Sequence, residues 1–196
     1  MSKRKSDELD ICPPCKSVYN KKIFMIDNHI YFYSIIDDEN MKIFANYVNE
    51  LITTYNFDDR EIYIHINSHG GYLNVLMKYV EIFDIQLSNN PIKFISIVEH
   101  NVNNCAIIFA ALCHKRIFNK NAKMIMHKLT ENYWYFFKQC NNNDNEITVF
   151  RNNLINLLVR CSKDKLDKER AEKIIDNGGE WNCKKCKKLG LIDIII

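Results

Sequence analysis

Three sets of residues have types and spacing suited to chemistry. His127 closes an apolar run, Ser68 stands beside the pair Gly70-Gly71, and Cys12/Cys15 and Cys183/Cys186 form two Cys-x-x-Cys pairs. An imidazole holds or moves a proton near neutral pH. A serine next to a base attacks a carbonyl, and two such cysteine pairs have the local spacing of a four-thiolate zinc site. Each set also has a plainer reading. The cysteine pairs lie at opposite ends of the chain, and eight cysteines in a chain this well supplied with core residues read mostly as reduced thiols. The glycine pair lacks the longer loop of a phosphate cradle, so backbone geometry explains it. Lys184, Lys185, Lys187 and Lys188 read as a solvated helix face.

The composition excludes several classes. In 196 residues, 47% are hydrophobic, enough for one domain with a sizeable core. A formal net charge of +3 from 27 basic and 24 acidic residues gives no reason to expect a nucleic-acid surface. The longest apolar stretches, Ala106–Leu112 and Ile192–Ile196, are far shorter than the roughly 20 residues that cross a bilayer. The first residues have no apolar core of a secretory signal, so a cytoplasmic protein is expected. No cofactor is expected.

Periodicity supplies the elements that must position these residues. Residues 1–20 are polar and read as a mobile tail, and the domain spans 21–196. His29–Tyr33 reads as a strand, and Asp38–Thr54 as a helix with Met41, Phe44, Val48 and Leu51 on one face. Glu61–Ile66 is a second strand that ends at Asn67-Ser68-His69-Gly70-Gly71, and a helix follows over Tyr72–Gln86. Ile92–Val98 continues the alternation, then a buried helix at Asn104–Cys113 and strands at Arg116–Phe118 and Lys123–His127. Alternating units of this kind predict one largely parallel sheet. An aromatic segment, Tyr133–Phe137, and an Asn-rich loop precede helices at Glu146–Ser162, Leu166–Asp176 and Asn182–Leu189. Ile147, Phe150, Leu154, Leu157, Leu158 and Cys161 make a stripe on the first of these that is too broad for an isolated surface helix.

The order of motifs carries a resemblance. The run EIYIHINSHGG resembles the Clp protease proteolytic-subunit (ClpP) pattern of a strand entering Ile-Asn-Ser-Pro-Gly-Gly, with His69 in place of the proline. FISIVEHNVNN is similar to the family's strand and Gly-x-Ala-Ala-Ser elbow, RIFNKNAKMIMH to its Pro-Asn-Ala and Met-Ile-His segment, and CKKLGLID to its terminus. The resemblance implies an α/β, ClpP/crotonase-like superhelical βαβ domain with a handle helix over Glu146–Ser162. It also implies a ring-forming subunit: a homo- or hetero-oligomer with ClpP-type subunits in heptameric rings, an AAA+ unfoldase as partner, and polypeptide substrates.

In that family a serine attacks, a histidine takes its proton and an aspartate orients the histidine. Aligned on the Asn121-Ala122 and His127 anchors, the nucleophile position is Asn104, whose carboxamide does not attack. His127 holds the base position as a relic. The orienting acid falls at Gly178, with Asp176 two residues before it. The oxyanion hole would come from the backbone N–H groups of Gly71 and Cys105. His100, Val102 and Asn103 replace small family residues and are expected to crowd the cleft. Ser68 corresponds to a structural serine, and Cys183 and Cys186 to alanines on a buried face, so no metal site is expected. A degenerate, ClpR-like subunit with a structural or regulatory role is the main expectation. The alternatives are a peptidase with rebuilt His127/Cys105 chemistry, although one helical step of about 100° turns Cys105 toward the core, and a zinc-stabilised interaction module.

Overall fold

A computed structural model of the protein describes residues 22–54, 61–80, 92–127 and 144–196, apart from the side chains of 144–147 and 150. The expected tail over 1–20, the pair Cys12/Cys15, the aromatic segment and the Asn-rich loop lie outside these residues. The strands are β1 (Lys22–Ile26), β2 (His29–Tyr33), β3 (Glu61–Ile66), β4 (Lys93–Val98), β5 (Val102–Asn103), β6 (Lys115–Phe118), β7 (Lys123–Met126), β8 (Gly179–Asn182) and β9 (Ile194–Ile195). The helices are α1 (Asp38–Thr54), α2 at 73–80, α3 (Cys105–Ala111), α4 (Asp144–Cys161), α5 (Lys168–Asn177) and α6 (Cys183–Lys188).

Six strands form the main sheet in the order β1-β2-β3-β4-β6-β9, parallel throughout except for the β1–β2 hairpin. The fold is α/β, as the alternation predicts, but the expectation of one sheet needs correction. β7 leaves the main sheet and joins β5 and β8 in a second, three-stranded sheet. Two causes are visible. A tight turn at Asn119–Ala122, with Ala122 N–H donating to Asn119 O at 2.9 Å and Asn121 N–H to Asn119 Oδ1 at 2.9 Å, redirects the chain. The place beside β6 is taken by the C-terminal β9.

The core lies between the main sheet and its helices. Alternate residues of β2 and β3, Ile30, Phe32, Ile62, Ile64 and Ile66, are buried, while their neighbours face the other side. Asp37 caps α1 by accepting from Asn40 N–H at 2.8 Å, and Asp38 and Glu39 suit the positive end of the helix dipole. Met41, Phe44, Val48 and Leu51 on α1 then pack inward. The rings of Phe32, Phe44 and Phe109 meet edge to face at 5.2 to 6.0 Å, so β2, α1 and α3 are locked at one point. The later half of α4 buries Leu154, Ile155, Leu157, Leu158 and Cys161 within this chain, which accounts for that part of the stripe without a second molecule. No described helix is long and apolar enough to cross a membrane.

The C-terminus is clipped by an ion pair whose cation is buried. Arg116 on β6 is 1% exposed, and its Nε and Nη2 donate to the two carboxylate oxygens of Asp193 at 2.9 and 2.8 Å. Its Nη1 donates to Cys161 O at the end of α4, and Lys163 Nζ adds a second cation to Asp193 at 2.9 Å. Asp193 N–H in turn donates to Arg116 O at 3.0 Å, which sets the register of β9 on β6.

Candidate active site

The main sheet delivers two turns to one place. β3 ends at Ile66, and the next residues bridge outward: Ser68 pairs with Val102, and Gly71 with Ile36. Asn103 N–H donates to Ser68 O at 3.1 Å, and Ile36 N–H donates to Gly70 O at 2.8 Å. Both glycines are required there. Gly70 has φ 90°, and a Cβ on it would sit 2.7 Å from Asn103 O; one on Gly71 would sit 2.2 Å from Ile36 O. Gly70→Ala is therefore expected to destabilise the chain by about 2 kcal/mol, read from urea unfolding at pH 7. A loss below about 0.5 kcal/mol would mean that the turn adapts freely. Ser68 is a turn residue: it is 2% exposed, and its Oγ accepts from Gly70 N–H at 3.1 Å.

Asn104 stands between β5 and α3 with φ 50° and ψ −124°, a conformation that side chains rarely adopt outside functional turns. Its N–H donates to Ile125 O at 2.9 Å, and its Oδ1 accepts from His127 N–H at 2.8 Å. The carboxamide thus bridges the head of α3 to the end of β7, where His127 is exposed. It offers neither an acid nor a nucleophile.

The second sheet places the remaining position. β7 and β8 pair antiparallel with Met126 opposite Gly179, so one further step sets 127 across from 178. Gly178 has no side chain to orient an imidazole; it caps α5 with φ 65°, its N–H donating to Ile174 O at 3.0 Å. Asp176 is engaged elsewhere, accepting from Arg151 Nη2 at 2.7 Å and from Nε at 3.3 Å.

Cys105 is fully buried at the start of α3. Burial pushes its thiol up to about 12, and the nearby N–H groups of Gly71, Cys105 and Ala106 offset this only partly. At pH 7 the thiol is therefore held in its protonated form. The two backbone donors named for the oxyanion hole, those of Gly71 and Cys105, both act on this sulfur.

Of the residues expected to crowd the cleft, Val102 is wholly buried and Asn103 is 7% exposed, whereas His100 is exposed. Asn103 Nδ2 and His69 Nδ1 share a contact of 2.8 Å that sequence did not suggest. Its signal was only that both residues are polar where the resembled family is small or rigid. Cys183 Sγ donates to Asn119 O at 2.9 Å and to Ala122 O at 3.1 Å, Cys186 Sγ to Trp181 O at 3.6 Å, and burial raises both thiols. Among the described residues no group of three or more His, Cys, Asp or Glu side chains is placed to hold a metal ion. A cavity of about 290 Å³ lies elsewhere, between α5 and α6, lined by residues such as Leu166, Arg170 and Lys188.

The family model for Clp protease matches residues 16–196. The chain belongs to the Clp protease family. Among solved structures, the ClpP protease catalytic domain from Plasmodium falciparum is similar at 22% identity and TM-score 0.66, covering 86% of this chain and 84% of that one. A peptidase from the same organism gives 17% identity and TM-score 0.65 over 86% and 95% of the two chains. A point mutant of ClpP1 from Listeria monocytogenes gives 17% identity and TM-score 0.66 over 87% and 91%. No curated protein matches. At these identities the structural likeness carries the Clp fold, and the chemistry of the site rests on this chain's own residues.

Proposed function

We propose that this Clp-family chain is a subunit that has lost peptide hydrolysis and serves a structural or regulatory part in a ClpP-type assembly. One observation carries the reading. The residue held in the strained turn at the head of α3 is Asn104, and its Oδ1 is already committed to His127 N–H at 2.8 Å. Two further points support it: extending the β7–β8 register by one step sets Gly178 across from His127, and Asp176 is held by Arg151.

A heptameric ring shared with ClpP-type subunits, an AAA+ unfoldase that feeds it polypeptides, and a cytoplasmic setting complete the proposal; these follow from membership of the family. The rival reading, catalysis by His127 with Cys105, is opposed by the burial of the thiol and its raised pKa.

The test combines fluorophosphonate labelling, hydrolysis of fluorogenic peptides and native mass measurement on the purified chain, alone and mixed with a catalytically active ClpP. No label, no turnover and a mass above that of the 23.3 kDa monomer are expected. Labelling at any serine or cysteine, or turnover lost on Cys105→Ala, overturns the loss of chemistry. A monomer under both conditions overturns the ring.

A further inference from the structure

The side of β2 and β3 that faces away from the core carries a layer of rings. Tyr31 stacks on His65 at 4.3 Å and on Phe24 at 4.6 Å, and His29 stacks on Tyr63 at 4.7 Å. Within this layer, His29 Nδ1 and His65 Nε2 share a hydrogen bond of 2.9 Å. The other nitrogen of His65, Nδ1, lies 3.2 Å from Glu99 Oε1, just beyond the end of β4. Three strands are therefore joined through one chain of polar atoms, although His65 is only 8% exposed.

We propose that His29, His65 and Glu99 form a proton-operated latch, closed near neutral pH and opened in mildly acid solution. Counting protons gives the mechanism. With both imidazoles neutral, one N–H lies in the shared bond. A first added proton still leaves one of the two facing nitrogens free to accept, so the bond survives. A second added proton puts an N–H on both facing nitrogens. Two donors at 2.9 Å repel, and the bond must break.

The surrounding charges are consistent with this order. His29 is held below the ordinary imidazole range by burial first and by His65 second, against an opposing pull from Asp27. Glu99 also accepts from Tyr33 OH at 2.9 Å, and Glu61 accepts from Tyr63 OH at 2.6 Å. Lys93, across from Glu61, is exposed. Because the folded chain binds the second proton more weakly than the unfolded chain, stability falls as pH drops below the ordinary imidazole value of about 6.5. Opening would loosen the ring layer between β2 and β3 and leave the core side in place.

Hydrogen–deuterium exchange with mass analysis, corrected for intrinsic rates, tests this on the full chain at pH 7.5 and 5.5. Protection of peptides covering β2 and β3 should fall about tenfold at the lower pH while α1 and β6 hold. His65→Gln and, separately, the more exposed His29→Gln should remove that pH dependence, and Tyr33→Phe, which keeps both imidazoles, should retain it. Equal protection at both pH values in the wild type, or the same fall in a folded glutamine variant, overturns the latch. Neither Asn104 nor His127 takes part, so the outcome is independent of activity at the elbow.

Discussion

Asp193→Asn is expected to destabilise the chain by about 3–5 kcal/mol, a large share of the roughly 5–15 kcal/mol that holds a domain together. The reason is the guanidinium left behind. Arg116 is 1% exposed, and its donors at 2.8 and 2.9 Å would lose their counter-charge. Urea unfolding at pH 7 with an unchanged slope measures the effect. A second variant, Arg116→Met with Asp193→Asn, should recover much of the loss, since it leaves no guanidinium stranded without a counter-charge. A loss under about 1 kcal/mol for Asp193→Asn would mean that water reaches the guanidinium.

The pH dependence has a definite sign. Burial works against ionisation of Asp193, but the hydrogen bonds and charges of Arg116 and Lys163 outweigh it and hold the carboxyl well below the usual range. This contribution is therefore complete above the ordinary carboxylate value of about 3.9 and is lost as pH falls toward the folded value. Asp193→Asn should flatten that acid limb of the stability profile.

Asn104→Ser combined with Gly178→Asp is expected to create detectable serine reactivity where the wild type has none. The first change puts a hydroxyl at the strained turn, and the second puts a carboxylate across from His127. At φ 65° and ψ −164° Gly178 holds a backbone shape that is essentially reserved for glycine, so the second change should cost about 1–3 kcal/mol. An oriented general base contributes about 10²–10⁴ in rate, and the double variant should exceed Asn104→Ser alone by at least about 10²-fold. Fluorophosphonate labelling at position 104 is the direct readout. An inert but folded double variant would place the loss beyond these two side chains.

Much of the fold was legible because its signals are local. The helical spacing of Met41, Phe44, Val48 and Leu51 and the alternation in EIYIHI both describe buried faces that the structure contains. β5 and β9, with two residues each, are too short to have a period. β1 and β8 escaped for another reason: their burial alternates poorly, so pairing alone makes them strands. The site positions could be counted from anchors along the chain, whereas their contacts depend on register between distant segments. Nothing local announces that Arg116, inside the short strand β6, meets a carboxylate 77 positions later, or that His29 and His65 face one another across 36.

The dihedral angles at Asn104 have a consequence for the history of the chain. A turn held near φ 50° has kept a costly shape around a side chain that makes no use of it for bond making. Asparagine and serine codons, like those of glycine and aspartate, differ by one base. On the proposed reading a short genetic walk separates this chain from a hydrolytic one, and that walk can be run in reverse in the laboratory.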